Sequence, residues 1–236
     1  MSTSPSEHAL RLADGDLVPL IIRRHPRARC MRLRYDGPSG QARLTIPPRA
    51  ALRKALRWAE EQAGWLTRQR AHAGGGIHLG VGLLLPFEGA PVQIVADGGG
   101  RRVRLEADRL IVGGPPELTG QRLLRWLKAT ARERMTAESL ALAARHDLPL
   151  QRVSIGDPRS RWGSCSAGGA IRYSWRLILA PPFVRQATVA HEVAHLRHMN
   201  HGPEFHALVR AISPADPDQA RAWLRHEGAA LHRYMA

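Results

Sequence analysis

The chain is 236 residues long, 44% hydrophobic and 23% charged, with two cysteines and a formal net charge of +15 at pH 7. That length buries a core without disulfides, and the composition excludes a mostly disordered chain, a disulfide scaffold and a membrane-spanning helix. Lys54 and Lys128 are the only lysines among 35 cations, so the positive field is built from arginine and favours polyanions or acidic polypeptides as partners.

Residues 1–15 are small and polar and read as a flexible leader. Between 17 and 46 apolar and polar residues alternate, as in Met31-Arg32-Leu33-Arg34-Tyr35 and Ala42-Arg43-Leu44-Thr45-Ile46, with a turn at 36–40. Alternation of period two predicts strands. Pro47-Pro48 ends the last of them, and the spacing of Leu52, Ala55, Leu56, Ala59, Ala63 and Leu66 predicts a helix over 51–71, with Trp58 and Trp65 as packing residues. Gly74-Gly75-Gly76 reads as a flexible link, and strands are expected at 79–87, 92–96, 103–106 and 109–112. Pro115-Pro116 opens a long helix to about residue 146, with an apolar stripe of Leu123, Leu124, Leu127, Ala131, Met135, Leu140 and Ala144. Strands follow at 153–155, 161–166 and 170–179, then helices at 182–199, 204–212 and 218–234. No internal repeat is evident. The order implies an α+β protein: leader 1–15, a β-rich N-terminal domain over 16–113, and a C-terminal domain over 114–236 with a three-stranded sheet.

The chemistry concentrates in the last third. In His191-Glu192-Val193-Ala194-His195, residues four apart share one helix face, so both imidazoles can reach one metal ion while Glu192 stands beside it as a general base toward water. A catalytic zinc ordinarily takes a third protein ligand and keeps one open position. His201 is favoured, because a turn through Asn200, Gly202 and Pro203 returns its ring to the metal; His198, Glu204 and Glu227 are the alternatives. The arrangement points to a zinc-dependent metalloprotease, a hydrolase acting on polypeptide. A basic nucleic-acid- or protein-binding module with a structural metal is the competing reading. Glu192 argues against it, since a closed structural site has no use for that carboxylate.

Arg159-Ser160-Arg161-Trp162-Gly163-Ser164-Cys165-Ser166, Trp175-Arg176-Leu177-Ile178-Leu179-Ala180-Pro181, the 191–196 string and Asn200-His201-Gly202-Pro203-Glu204-Phe205 together resemble the YgjP-like metallopeptidases, relatives of the SprT-like zinc proteases. The resemblance extends upstream to the arginine-rich strands, and it implies a zincin-like core with an HExxH helix. Gly202 and His206 stand where that family pattern has serine and an aromatic residue.

Arg161, Trp162 and Tyr173 are candidate substrate-binding residues, the tyrosine as a donor to an oxyanion, and the strand near 159–166 is a candidate for edge pairing with a peptide. Cys165 reads as a packed thiol. The opening residues lack a secretory signal, and few cysteines suit a reducing compartment, so a cytoplasmic monomer is expected. Arg23, Arg24, Arg27, Arg29, Arg32 and Arg34, with a second cluster at Arg101, Arg102 and Arg104, make weak, sequence-independent binding to nucleic acid a further expectation.

Overall fold

The computed structural model describes residues 6–37, 39–73, 76–100 and 102–236. Leader residues 1–5, Pro38 of the first turn, Gly74 and Gly75 of the link, and Arg101 lie outside the described residues. The chain divides into two compact units after Ile77. Both mix strands and helices, so the protein is α+β. No helix among the described residues is long and apolar enough to cross a membrane.

In the first unit, β1 (Ser6–Arg11), β2 (Leu17–Arg24), β3 (Arg32–Asp36) and β4 (Gln41–Ile46) form one sheet of order β1-β2-β4-β3. Alternation sends Leu20, Ile22, Leu33, Leu44 and Ile46 to one face, where they pack with Ala55 and Ala59 of α1 (Leu52–Glu61) and Leu66 of α2 (Ala63–Ala73). Trp58 and Trp65 pack against the same core. Residues 6–11 are therefore no loose leader: β1 pairs with β2 along its whole length and buries Leu10.

The second unit begins near the two-residue strand β5 (Ile77–His78). Its first sheet joins β6 (Leu84–Phe87), β7 (Ala90–Asp97), β8 (Val103–Glu106) and β9 (Arg109–Gly113) in the order β6-β7-β9-β8. This repeats the order and strand directions of the first unit's sheet, with an antiparallel pair at either side and a parallel pair, β2 with β4 or β7 with β9, between them. The repeat escapes a reading of the sequence because residues 12–16 join β1 to β2, whereas only 88–89 join β6 to β7, so no fixed period survives.

Leu85, Ile94, Leu110 and Val112 of this sheet share one core with Leu123, Leu127, Ala131 and Met135 of α3 (Thr119–Arg145). That continuity places the division after Ile77 instead of at the expected Gly113-Gly114. Ser139 faces the core, and Leu140, expected there, is 54% exposed. A three-stranded sheet follows, β10 (Arg152–Gly156), β11 (Gly163–Cys165) and β12 (Ala170–Ser174), in the order β10-β12-β11, which leaves β11 at an edge. The expected strand over 170–179 stops at Ser174, whose hydroxyl accepts from the Arg176 amide and starts a 3-10 turn, Trp175–Ile178.

Four helices complete the unit: α4 (Pro182–Ala194), α5 (Pro203–Ile212), α6 (Pro217–His226) and α7 (Gly228–Leu231), before the short β13 (Tyr234–Met235). Buried arginines tie these pieces down. Arg185 meets Glu88 at 2.7 Å and Glu138 at 2.9 Å. Arg176 pairs with Asp157 and donates to the Leu231 and Tyr234 carbonyls, each at 3.0 Å. Removing one member of such a set leaves a buried charge unpaired, which is strongly destabilising.

Candidate active site

Helix α4 is apolar on the side formed by Val184, Val189, Ala190 and Val193, all buried. His191 and Glu192 follow in the last turn of this helix, and His195 is its C-cap residue. The helix stops at Ala194, short of the expected residue 199, and tight bonds from the Leu196, Arg197 and His198 amides to the Val193 and Ala194 carbonyls close it. The chain then reverses, which brings His201 back over α4.

His191, His195 and His201 form a group whose ligand-capable atoms all lie within 4.8 Å of one another, the one such group among the described residues. The Nε2 atoms of His191 and His201 are 3.2 Å apart. Nitrogens held about 2.05 Å from a tetrahedral ion stand about 3.3 Å apart, so this spacing suits a shared cation. His195 Nδ1 lies 3.0 Å from the His198 carbonyl oxygen. A carbonyl only accepts, so Nδ1 carries the proton and Nε2 keeps its lone pair for the cluster. The buried Phe205 ring lies 4.5–4.9 Å from all three imidazoles and fixes their planes from below. Burial, then the neighbouring His195 and His201, pushes His191 down to about 4. Burial also lowers His195, with the His198 carbonyl opposing. Both rings are thus neutral near pH 7, the state that can ligate a metal.

Glu192 is 6% exposed. Burial pushes its carboxyl up to about 7, against the pull of the Arg161 charge. Its side chain lies against the backbone of β11 so closely that a Cβ at Gly163 would stand 2.4 Å from Glu192 Oε1. A cleft of about 280 Å³ is lined by Arg161, Trp162 and Gly163 at the start of β11, by His191 and Glu192 of α4, and by Val209, Arg221 and Leu224 of α5 and α6. Trp162 stacks on His232, ring centres 4.9 Å apart, and rests on Gly228, where a Cβ would meet its ring at 2.8 Å. This close approach accompanies the break of the expected 218–234 helix into α6 and α7.

Arg161 and Trp162 therefore stand in the cleft wall, where a substrate contact needs them. Tyr173 does not. It is fully buried, outside the cleft lining, with its hydroxyl 3.0 Å from Ser139 of α3. Its expected role at an oxyanion is withdrawn, because strand alternation turns this ring toward α3. The alternative ligands also stand outside the histidine group: His198 Nδ1 faces Glu204 Oε2 at 3.7 Å, Glu204 is 85% exposed at its side chain, and Glu227 is not a member. Burial pushes the Cys165 thiol up to about 11, with Glu192 adding to the shift, which makes it a packed thiol and no nucleophile. Gly163, Phe205 and the His198 carbonyl were not singled out from the sequence, although the first two lie inside the quoted motifs.

A family model described as the YgjP-like metallopeptidase domain matches residues 30–227. The chain belongs to the YgjP-like family. Its match takes in most of the first unit as well as the whole cleft. No curated protein and no solved structure matches the chain. A YgjP-like metallopeptidase domain implies a metal cofactor and a polypeptide substrate, and the three histidines can hold such a metal.

Proposed function

We propose that this YgjP-like protein is a zinc-dependent peptidase with a zincin-like core, in which His191, His195 and His201 hold the metal and Glu192 is the general base. One observation carries the reading: three imidazoles converge within 4.8 Å, and the buried carboxyl of Glu192, next to His191 on the same helix, lines one cleft with it. No fourth His, Cys or carboxylate joins that group among the described residues. An open position of this kind favours catalysis over a purely structural metal. When bound, zinc polarises a carbonyl and lowers the pKa of water at the site.

The chain's own residues do the rest. An extended peptide pairs with the free edge of β11 and lays its scissile carbonyl along the cleft. Glu192 accepts a proton from the attacking water as the water oxygen bonds to the carbonyl carbon. It then delivers that proton to the amide nitrogen as the C–N bond breaks, so the amine leaves neutral and the carboxylate is regenerated. Gly163 keeps Glu192 in reach by leaving room for its side chain. Trp162 walls the cleft from solvent, and the exposed Arg161 holds substrate carbonyl or carboxylate groups. Metal analysis of the purified protein, with cleavage of labelled casein by wild type and Glu192→Gln, tests this reading.

A further inference from the structure

The first unit carries a second feature that peptide hydrolysis does not use. Its sheet buries Leu20, Ile22, Leu33 and Leu44 and leaves Arg23, Arg32, Arg34 and Arg43 on the opposite face. The register sets Arg34 directly across from Arg43, and sets Arg23 and Arg32 on either side of Thr45. His25, Arg27 and Arg29 of the β2–β3 loop rim the same groove, which measures about 650 Å³. Arg43 meets Asp36 at 3.6 Å. Arg23, Arg27, Arg29, Arg32 and Arg34 make no ion pair among the described residues.

Like charges directly opposite on a sheet destabilise it, so the fold carries this array at a cost that one carboxylate only partly offsets. Arg24 shows the contrast. Its guanidinium donates to the carbonyls of Pro47, Pro48 and Ala50 at 3.3, 2.8 and 2.8 Å and so anchors the chain after β4. In the second expected cluster Arg104 is paired, with Asp97 at 3.2 Å and Glu106 at 2.9 Å.

We infer that this face of the first sheet binds the phosphodiester backbone of nucleic acid without reading its sequence. Guanidinium forks match phosphate oxygens two at a time. A duplex presents a negative charge every ~1.7 Å of its axis, whereas an extended acidic peptide presents one to a given face only every ~6.6 Å. The denser polyanion is the better complement to a crowded array. No Phe, Tyr or Trp lines the groove, and His25 is its single ring, so base stacking contributes little and the backbone is what is recognised. The inference stands independently of the metal site.

Fluorescence anisotropy of the full chain with a labelled duplex of about 20 base pairs, titrated at roughly 50 to 200 mM salt, tests it. Binding should weaken steeply with salt. The combined variant Arg23→Thr, Arg32→Thr, Arg34→Thr should lose about tenfold or more in affinity and make the log–log salt slope shallower by about 2.7. An equal charge loss on exposed positions of α3, Arg125→Gln, Arg132→Gln, Arg145→Gln, should change affinity no more than about twofold. The inference is overturned if the duplex does not bind at the lowest salt, or if the two variants lose affinity equally. It is overturned too if polyglutamate of matched length competes as well as unlabelled duplex.

Discussion

Gly163→Ala is the most informative small change to the cleft. The backbone there lies outside the left-handed region, so alanine meets no conformational strain. The added methyl would stand 2.4 Å from Glu192 Oε1 and 2.6 Å from both Cγ and Cδ, roughly 1 Å inside ordinary carbon contact. Glu192 is buried at 6% exposure, so the carboxylate must swing away by about that distance. A displacement of ~1 Å at a catalytic group costs on the order of 10²-fold in rate. Overpacking costs about 1–3 kcal/mol in stability, which lowers Tm by several degrees without unfolding the protein. The assay is casein cleavage with metal content measured on the same preparation: kcat should fall about 10²-fold at unchanged zinc. Gly168→Ala in the β11–β12 turn, where the nearest atom is Ser166 Oγ at 4.0 Å, is the control and should behave as wild type. In a Glu192→Gln background Gly163→Ala should add no further loss, since both act through one carboxylate. Wild-type turnover by Gly163→Ala, or fully additive losses in the double variant, would refute the reasoning.

Three further outcomes follow from the same geometry. His191→Ala and His195→Ala should each lose zinc, with an equal or smaller loss for His201→Ala, read by metal analysis; full occupancy in the His191→Ala, His195→Ala double variant would contradict the site. Tyr173→Phe removes only the 3.0 Å contact with Ser139, so it should cost about 1 kcal/mol in denaturant titration and leave turnover unchanged. Burial, then the Arg176 charge, pushes His232 down to about 4, below its unfolded value of about 6.5. The unfolded chain therefore binds more protons between those values, and the stability that neutral His232 supports is full above about pH 6.5 and lost as pH falls toward about 4. His232→Phe keeps a ring against Trp162 and should flatten the fall of Tm over that window; identical acid profiles for variant and wild type would remove His232 from the account.

The parts of this molecule that depend on local rules are those a reader of the sequence can find. Alternation at 17–46 located three strands, and the i, i+4 rule placed His191 and His195 on one face before any fold was known. His201 was nameable because Asn200, Gly202 and Pro203 announce a reversal. What escaped depends on tertiary packing. Gly163 is needed only because a side chain from another element crosses it. Tyr173 alternates correctly, yet period two does not say which face of a short strand meets α3. The division after Ile77 lies beside the Gly74-Gly75-Gly76 link, but the choice of that break over Gly113-Gly114 follows from the shared core of β6–β9 and α3, which is a matter of tertiary packing. Residues 6–11 looked like a leader because Ser6, Glu7 and His8 are polar, but their backbone pairs with β2 regardless of side chain.

Whether Glu192 acts on water beside a metal held by three histidines is decided by zinc content and casein turnover measured together on wild type and Glu192→Gln. Both proteins should carry about one zinc per chain, with turnover at least ~10²-fold lower in the variant. A variant that cleaves as fast as wild type at the same zinc content would contradict that role for Glu192.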